Sequence, residues 1–249
     1  MVGNKRLYLS VPFFLVRAAL CFAVWLGLGA QLRRAARRGD GERLARLAGP
    51  GLVLHVLTVT FALWDWTATL DPRWHSTIYG LLIIAGQALA ALSFAVLVLT
   101  VRTAPSSQAD ALQDLGSLTL TFVMLWAYLS FMQLLIMWSG NLPHEARFYI
   151  PRLHGPFGKL GAGLLVAYFA LPVLLLLHRG LKRSGRVLGA LAVVLLVGGW
   201  AADLWLVAPD FHRPRLLYGT DVATTLAVGC LFLGVFLRGL AAGERKGHD

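Results

Sequence analysis

The stretch FALWDWTATLDPRWHSTIYG, Phe61 to Gly80, decides how the chain is read. An apolar run enters it and carries Asp65 between Trp64 and Trp66. The run breaks at Asp71-Pro72 and a new one starts at Thr77. The residue before a proline is steered away from helical backbone, so Asp71-Pro72 predicts a helix end between two spans. A carboxylate about two turns inside a hydrophobic span costs roughly 3 kcal/mol on insertion scales. Such a residue asks for a partner or a task.

Outward from this stretch, apolar runs long enough to cross a bilayer recur along all 249 residues. The chain is 57% hydrophobic and only 14% charged, with a mean hydropathy of +0.67. That composition predicts an all-α, polytopic transmembrane bundle of about seven helices. The expected spans are Leu7–Leu32, Gly51–Leu70, Thr77–Val101, Leu115–Gly140, Leu160–His178, Val187–Val207 and Asp221–Leu237. Short connections marked by Pro or Gly separate them, and nothing suggests a second domain, so residues 1–249 read as one integral membrane domain. The first span is too long for the core of a signal peptide and reads as a retained helix.

The net charge of +11 belongs to the connections. Loops 33–49, 102–114 and 179–186 and the tail 238–249 hold 14 of the 23 Lys and Arg. The N-terminus and loops 71–76, 141–159 and 208–220 hold 8, and Arg17 inside the first span is the remaining one. The positive-inside rule puts the first set in the cytoplasm of a bacterial inner membrane. The N-terminus is then outside and the C-terminus inside, which requires Lys5 and Arg6 to cross the membrane. An odd number of helices missing before Met1 would remove that difficulty. With no soluble basic surface, nucleic acid is not an expected partner; membrane lipid is.

On this orientation Asp65 lies about 9 Å before the outer end of its helix, Asp203 about as deep on the sixth span, and Arg17 roughly 10 Å deep on the first. Two readings stand. One is a structural ion pair among Arg17, Asp65 and Asp203 that ties helices together. The other is a proton-accepting carboxylate beside a redox or transport site, its affinity set by burial against a neighbouring cation. Nearer the midplane, Gln87, Tyr128, Ser130 and Gln133 either bond singly to neighbouring helices or together form a polar track. Small residues at Gly161, Gly163, Gly198 and Gly199 are expected at helix contacts.

Cofactor chemistry is sparsely signalled. Cys21 and Cys230 fall in apolar spans with no CxxC pair, and read as small hydrophobes. A transmembrane haem needs two His at matching depth on neighbouring helices; His55 and His178 are the nearest to that and His178 is a boundary residue, so haem is not expected. No metal site is expected either.

The strings GPGLVLHVLTVTFALWDW (49–66), LDPRWHSTIYG (70–80) and FVMLWAYLSFMQLLIMWSGNLPHEARFY (122–149) resemble one family. It is the second quinone-binding-type membrane subunit of bacterial alternative complex III, a quinol:cytochrome c (or electron-carrier) oxidoreductase, itself similar to polysulfide-reductase-type membrane subunits. The resemblance runs from Val11–Phe14 to Leu206–Pro209, with the DW…LDPxWxSTIYG and WSGNLPxE strings its specific part. It implies a haem-free subunit beside a homologous quinone-binding subunit, with outer partners that carry iron–sulfur clusters and c-type haems. It implies contact with quinone or quinol, proton movement, or both. Carried onto this chain, the candidate residues are Asp65, Asp71, Trp74, His75, Ser76, Tyr128, Gln133, Asn141 and Glu145. His144 stands where relatives have Glu. Family members carry about ten spans, and a shortfall of three would restore an inside N-terminus. A transporter-like protein with an ion path through its buried charges, or a structural scaffold subunit, are the alternative readings.

Overall fold

A computed structural model describes residues 10–68, 76–102, 109–211 and 216–245. The described residues contain helices and no strands. Seven helical segments are long and apolar enough to cross a membrane: Val11–Arg37, Gly41–Trp66, Tyr79–Arg102, Asp110–Gly140, Gly155–Leu177, Gly185–Phe211 and Gly219–Leu240. This is the architecture of a multi-pass membrane protein, as the apolar runs predict.

The helices are α1 (Val11–Arg37), α2 (Gly41–Ala68), α3 (Tyr79–Arg102), α4 (Ala109–Gly140), the short α5 (Pro143–Ala146) and α6 (Ile150–Leu153), then α7 (Gly155–Leu164). A π-helical stretch, Leu165–Ala170, joins α7 to α8 (Leu171–Leu177). The short α9 (Arg179–Lys182), α10 (Gly185–Val207), a 3₁₀ turn (Ala208–Phe211) and α11 (Gly219–Arg245) complete the chain.

Several boundaries depart from expectation for local reasons. The basic 33–49 segment is helical except at its tip, because its Arg, Ala and Leu residues are good helix formers. Gly39, at φ 65°, turns the chain there, and the Asp40 carboxylate caps α2 by accepting the Arg43 N–H at 2.9 Å. Gly49-Pro50-Gly51 does not break the chain: Pro50 lies inside α2 and on its exposed surface. Its missing N–H therefore leaves no carbonyl stranded in the core. Likewise, residues 143–153 form two short helices instead of an open loop. The fifth span begins at Gly155, not Leu160. The break at Asp71-Pro72 lies outside the described residues.

The first compact unit runs from Met1 to Phe211. In it α10 packs along α3, α3 along α4 and α2, and α1 along α2, with α7, the π stretch and α8 set against α10 and α4. Leu89, Val96, Val123, Tyr168, Leu188 and Leu195 form the centre of the core. Two buried hydroxyls in the core close on their own helices: Ser93 donates to the Leu89 carbonyl and Thr119 to that of Leu115. The π stretch precedes Pro172, which cannot donate the helical bond to residue 168, and a wider turn absorbs that loss. It carries Tyr168, fully buried, edge-on to Trp126 with ring centres 4.6 Å apart. A Cβ at position 198 would sit 2.5 Å from the Tyr168 ring, so glycine is required there. Gly161 meets Trp205 closely, whereas Gly163 faces open space and makes no such contact.

The second unit, His212–Asp249, is built on α11. Asp221 caps the helix by accepting the Tyr218 N–H at 3.1 Å, and Thr224 and Thr225 return their hydroxyls to backbone carbonyls one turn back.

Candidate functional site

Alternation of the spans brings the ends of α2, α4 and α10 and the starts of α1, α3 and α7 to one end of the first unit. Three polar centres are built there.

The first joins α1 and α2. Arg17 Nε donates to Asp65 Oδ2 at 2.6 Å, with Asp65 6% exposed and the Arg17 side chain 19% exposed. The Phe13 ring, one turn before Arg17, lies 4.4 Å from its guanidinium carbon. The same face of α1 continues at four-residue steps: Cys21 Sγ faces the Thr58 carbonyl at 3.7 Å, and Trp25 Nε1 donates to Thr58 Oγ1 at 2.9 Å. Phe22 and Trp25 approach Trp66 at ring distances of 6.5 and 6.4 Å, so aromatic contacts also join α1 to α2. Opposite charges at this separation, largely out of water, form an ion pair, and removal of either partner is costly to the other. Asp203, the third residue of the expected cluster, makes no ion pair among the described residues and is exposed on α10.

The second centre joins the start of α3 to α4. Ser76 Oγ donates to Gln133 Oε1 at 2.6 Å and accepts the Tyr79 N–H at 3.3 Å. Gln133 is 3% exposed. One hydroxyl therefore bonds the first backbone N–H of α3 and the oxygen of a buried amide. The polar track does not form as a unit. Tyr128 is 57% exposed and Gln87 is also on the outer surface, while Ser130 bonds back to the Trp126 carbonyl. Tyr128 and Gln133 are five residues apart, about 140° around the helix, which sends them to different faces.

The third centre was not singled out by the sequence. Arg152, in α6, is fully buried. It donates to the Phe148 carbonyl at 2.6 Å, to the Leu206 carbonyl, and to Asp210 Oδ2 at 2.8 Å, with the Phe148 ring 3.5 Å from its guanidinium carbon. The arginine clamps α5–α6 onto the end of α10. Burial lowers the Arg152 pKa from its ordinary value, against the Asp210 carboxylate that raises it. Beside it, burial pushes the Tyr149 hydroxyl up, with the Arg152 cation opposing. Read linearly, Arg152 is one more charge of an outer loop. The signal available was Tyr149-Ile150-Pro151-Arg152, a proline placed to open a helix, with Asp210 directly after Pro209.

Asn141 ends α4 in the left-handed region at φ 46° and is exposed, a helix-stop position that Asn tolerates. Glu145 has its backbone in α5, its side chain outside the described residues; Asp71, Trp74 and His75 lie outside them altogether. Among the described residues no three His, Cys, Asp or Glu side chains converge on a point where a metal would bind. His55 turns its ring toward Trp25, at 6.3 Å, and His178 follows the end of α8.

No protein-family model matches the chain, and no curated protein matches it. The three centres stand on their geometry alone.

Proposed function

We propose that the chain is an integral membrane subunit of a quinol:cytochrome c, or electron-carrier, oxidoreductase of a bacterial respiratory chain. Its own part is proton handling by Asp65, next to where a quinone head group is oxidised. The observation that carries this reading is the Arg17–Asp65 pair, sunk between two spans near one end of the bundle. A carboxylate paired there with Arg17 can take a proton when the pairing opens and release it when the pairing returns. Electron transfer would belong to iron–sulfur and c-type haem partners docked on the outer side, beside a homologous membrane subunit. The resemblance of the 49–80 and 122–149 strings to the second membrane subunit of alternative complex III supports the same reading.

Affinity purification from native membranes tests it. Co-purification with a multihaem c-type cytochrome, an iron–sulfur chain and a second polytopic subunit, with quinol-dependent reduction of an electron carrier, is expected. A protein that purifies without redox partners and drives solute uptake in vesicles overturns the assignment in favour of a transporter.

A further inference from the structure

The Tyr168 hydroxyl is, among the described residues, the one buried side-chain oxygen with no hydrogen-bond partner. The residue is 0% exposed. Buried polar atoms find a partner in protein, water or an ion with few exceptions, so this oxygen points to something bound. It is carried by the π-helical stretch, a distortion that recurs at functional sites.

Two glycines of α10 set where the hydroxyl lies. Gly198 lets the ring cross the helix, and a Cβ at Gly199 would sit 3.3 Å from the hydroxyl oxygen. Asp203 follows Gly199 by one turn on the same face of α10. Helical side chains lean toward the N-terminus of their helix, which sends the Asp203 carboxylate back toward Gly199 and the hydroxyl. Asp203 is also the one charged residue whose field acts on the Tyr168 hydroxyl. From the start of α3, Tyr79 feels the same carboxylate, together with Arg152 and Asp210. Asp203 itself makes no hydrogen bond or ion pair among the described residues, and no cation acts on it. Protein crowds around it, yet the residue opens on the surface of the unit within the sixth span.

We infer that Asp203 and Tyr168 hold a proton-carrying water between α10 and the π stretch, a second proton site separate from the Arg17–Asp65 pair. The water accepts from the Tyr168 hydroxyl and donates to the Asp203 carboxylate. A proton that arrives on the water as hydronium passes to a carboxylate oxygen, leaving a neutral carboxylic acid and a neutral water. The reverse step returns it. Tyr168 stays protonated throughout and positions the water. Asp65 has Arg17 to balance its charge. Asp203 has no such cation, and a charge alone in a span is costly, so a proton is what neutralises it. One carboxylate and one hydroxyl offer too few oxygens to replace the shell of a metal cation. The inference does not depend on the proposed respiratory role.

Infrared difference spectroscopy of the full chain in lipid nanodiscs, recorded over a pH titration, tests it. The wild type minus Asp203→Asn difference is expected to contain the C=O band of one protonated carboxylic acid. Tyr168→Phe, which keeps the ring, should move that band to higher frequency, because the acid loses its ordered water. Exchange into heavy-oxygen water should reveal the O–H band of one strongly bound water, lost in both Asp203→Asn and Tyr168→Phe. Asp65→Asn should leave both bands in place, which separates this site from the one proposed for turnover. Absence of either band in the wild type, or bands unmoved by Tyr168→Phe, overturns the inference. So does loss of the carboxyl band on addition of sodium chloride at constant pH, which would mark a metal cation as the occupant. Should Asp203→Asn fail to fold, the Tyr168→Phe variant decides alone.

Discussion

Arg17 and Asp65, 48 positions apart in sequence, meet at 2.6 Å across the contact of α1 with α2. Between Val11 and Ala30 Arg17 is the one charged residue of α1, so this pair and the Trp25–Thr58 bond fix its register against α2. Removal of one partner leaves a charge without its counter-ion. Arg17→Leu should therefore destabilise the protein by about 3 kcal/mol, and the double variant Arg17→Leu, Asp65→Leu should recover most of that loss. Thermal melting in detergent, arranged as a double-mutant cycle, checks it. Additive losses would mean that the two residues do not sense each other.

Gly198 is where the Tyr168 ring crosses α10. Gly198→Ala places a methyl inside that ring's contact distance and should cost about 1–3 kcal/mol. Gly163→Ala, with open space around the position, should change stability little. Melting temperatures of the two variants should separate clearly; similar values would contradict the packing described for Tyr168.

Arg152 holds α6 and the end of α10 together through three acceptors. Arg152→Met should free residues 143–153, and limited proteolysis should cut there in the variant while sparing the wild type. Asp210→Asn, which keeps a hydrogen-bond acceptor, should weaken the clamp less. Equal resistance in all three proteins would show that the clamp is not what orders this segment.

The Tyr149 hydroxyl has a folded-state pKa raised above its ordinary value of about 10. The unfolded chain then loses this proton before the folded one does. The contribution is fully present below pH 10 or so and is lost as pH climbs toward the folded value. Stability should fall in alkaline solution, and Tyr149→Phe should flatten that fall. An unaltered alkaline slope in the variant would remove Tyr149 as the cause.

The sequence made the spans legible because a bilayer leaves few ways to place apolar runs of this length. Asp65 and Arg17 were legible for the same reason, as charges where none is cheap. Arg152 was not, because a basic residue in a short connection reads as a solvated loop charge until the chain is seen to fold back on α10. Tyr128 and Gln133 show the other limit. Both are polar residues within one span, and only the packing of α4 sends Gln133 to Ser76 and Tyr128 outward. Asp203 matched Asp65 in depth but not in company, since depth is set along a helix and partnership around it.

The central claim is that Asp65 carries a proton during turnover. The direct measurement is quinol oxidation by the assembled complex that carries Asp65→Asn, normalised to the amount of complex in the membrane. The account predicts a complex present at near wild-type amounts with turnover reduced about tenfold or more, as for loss of a general acid–base group. Wild-type turnover in that assembled variant would contradict it, and would leave Arg17 and Asp65 as a tie between two helices.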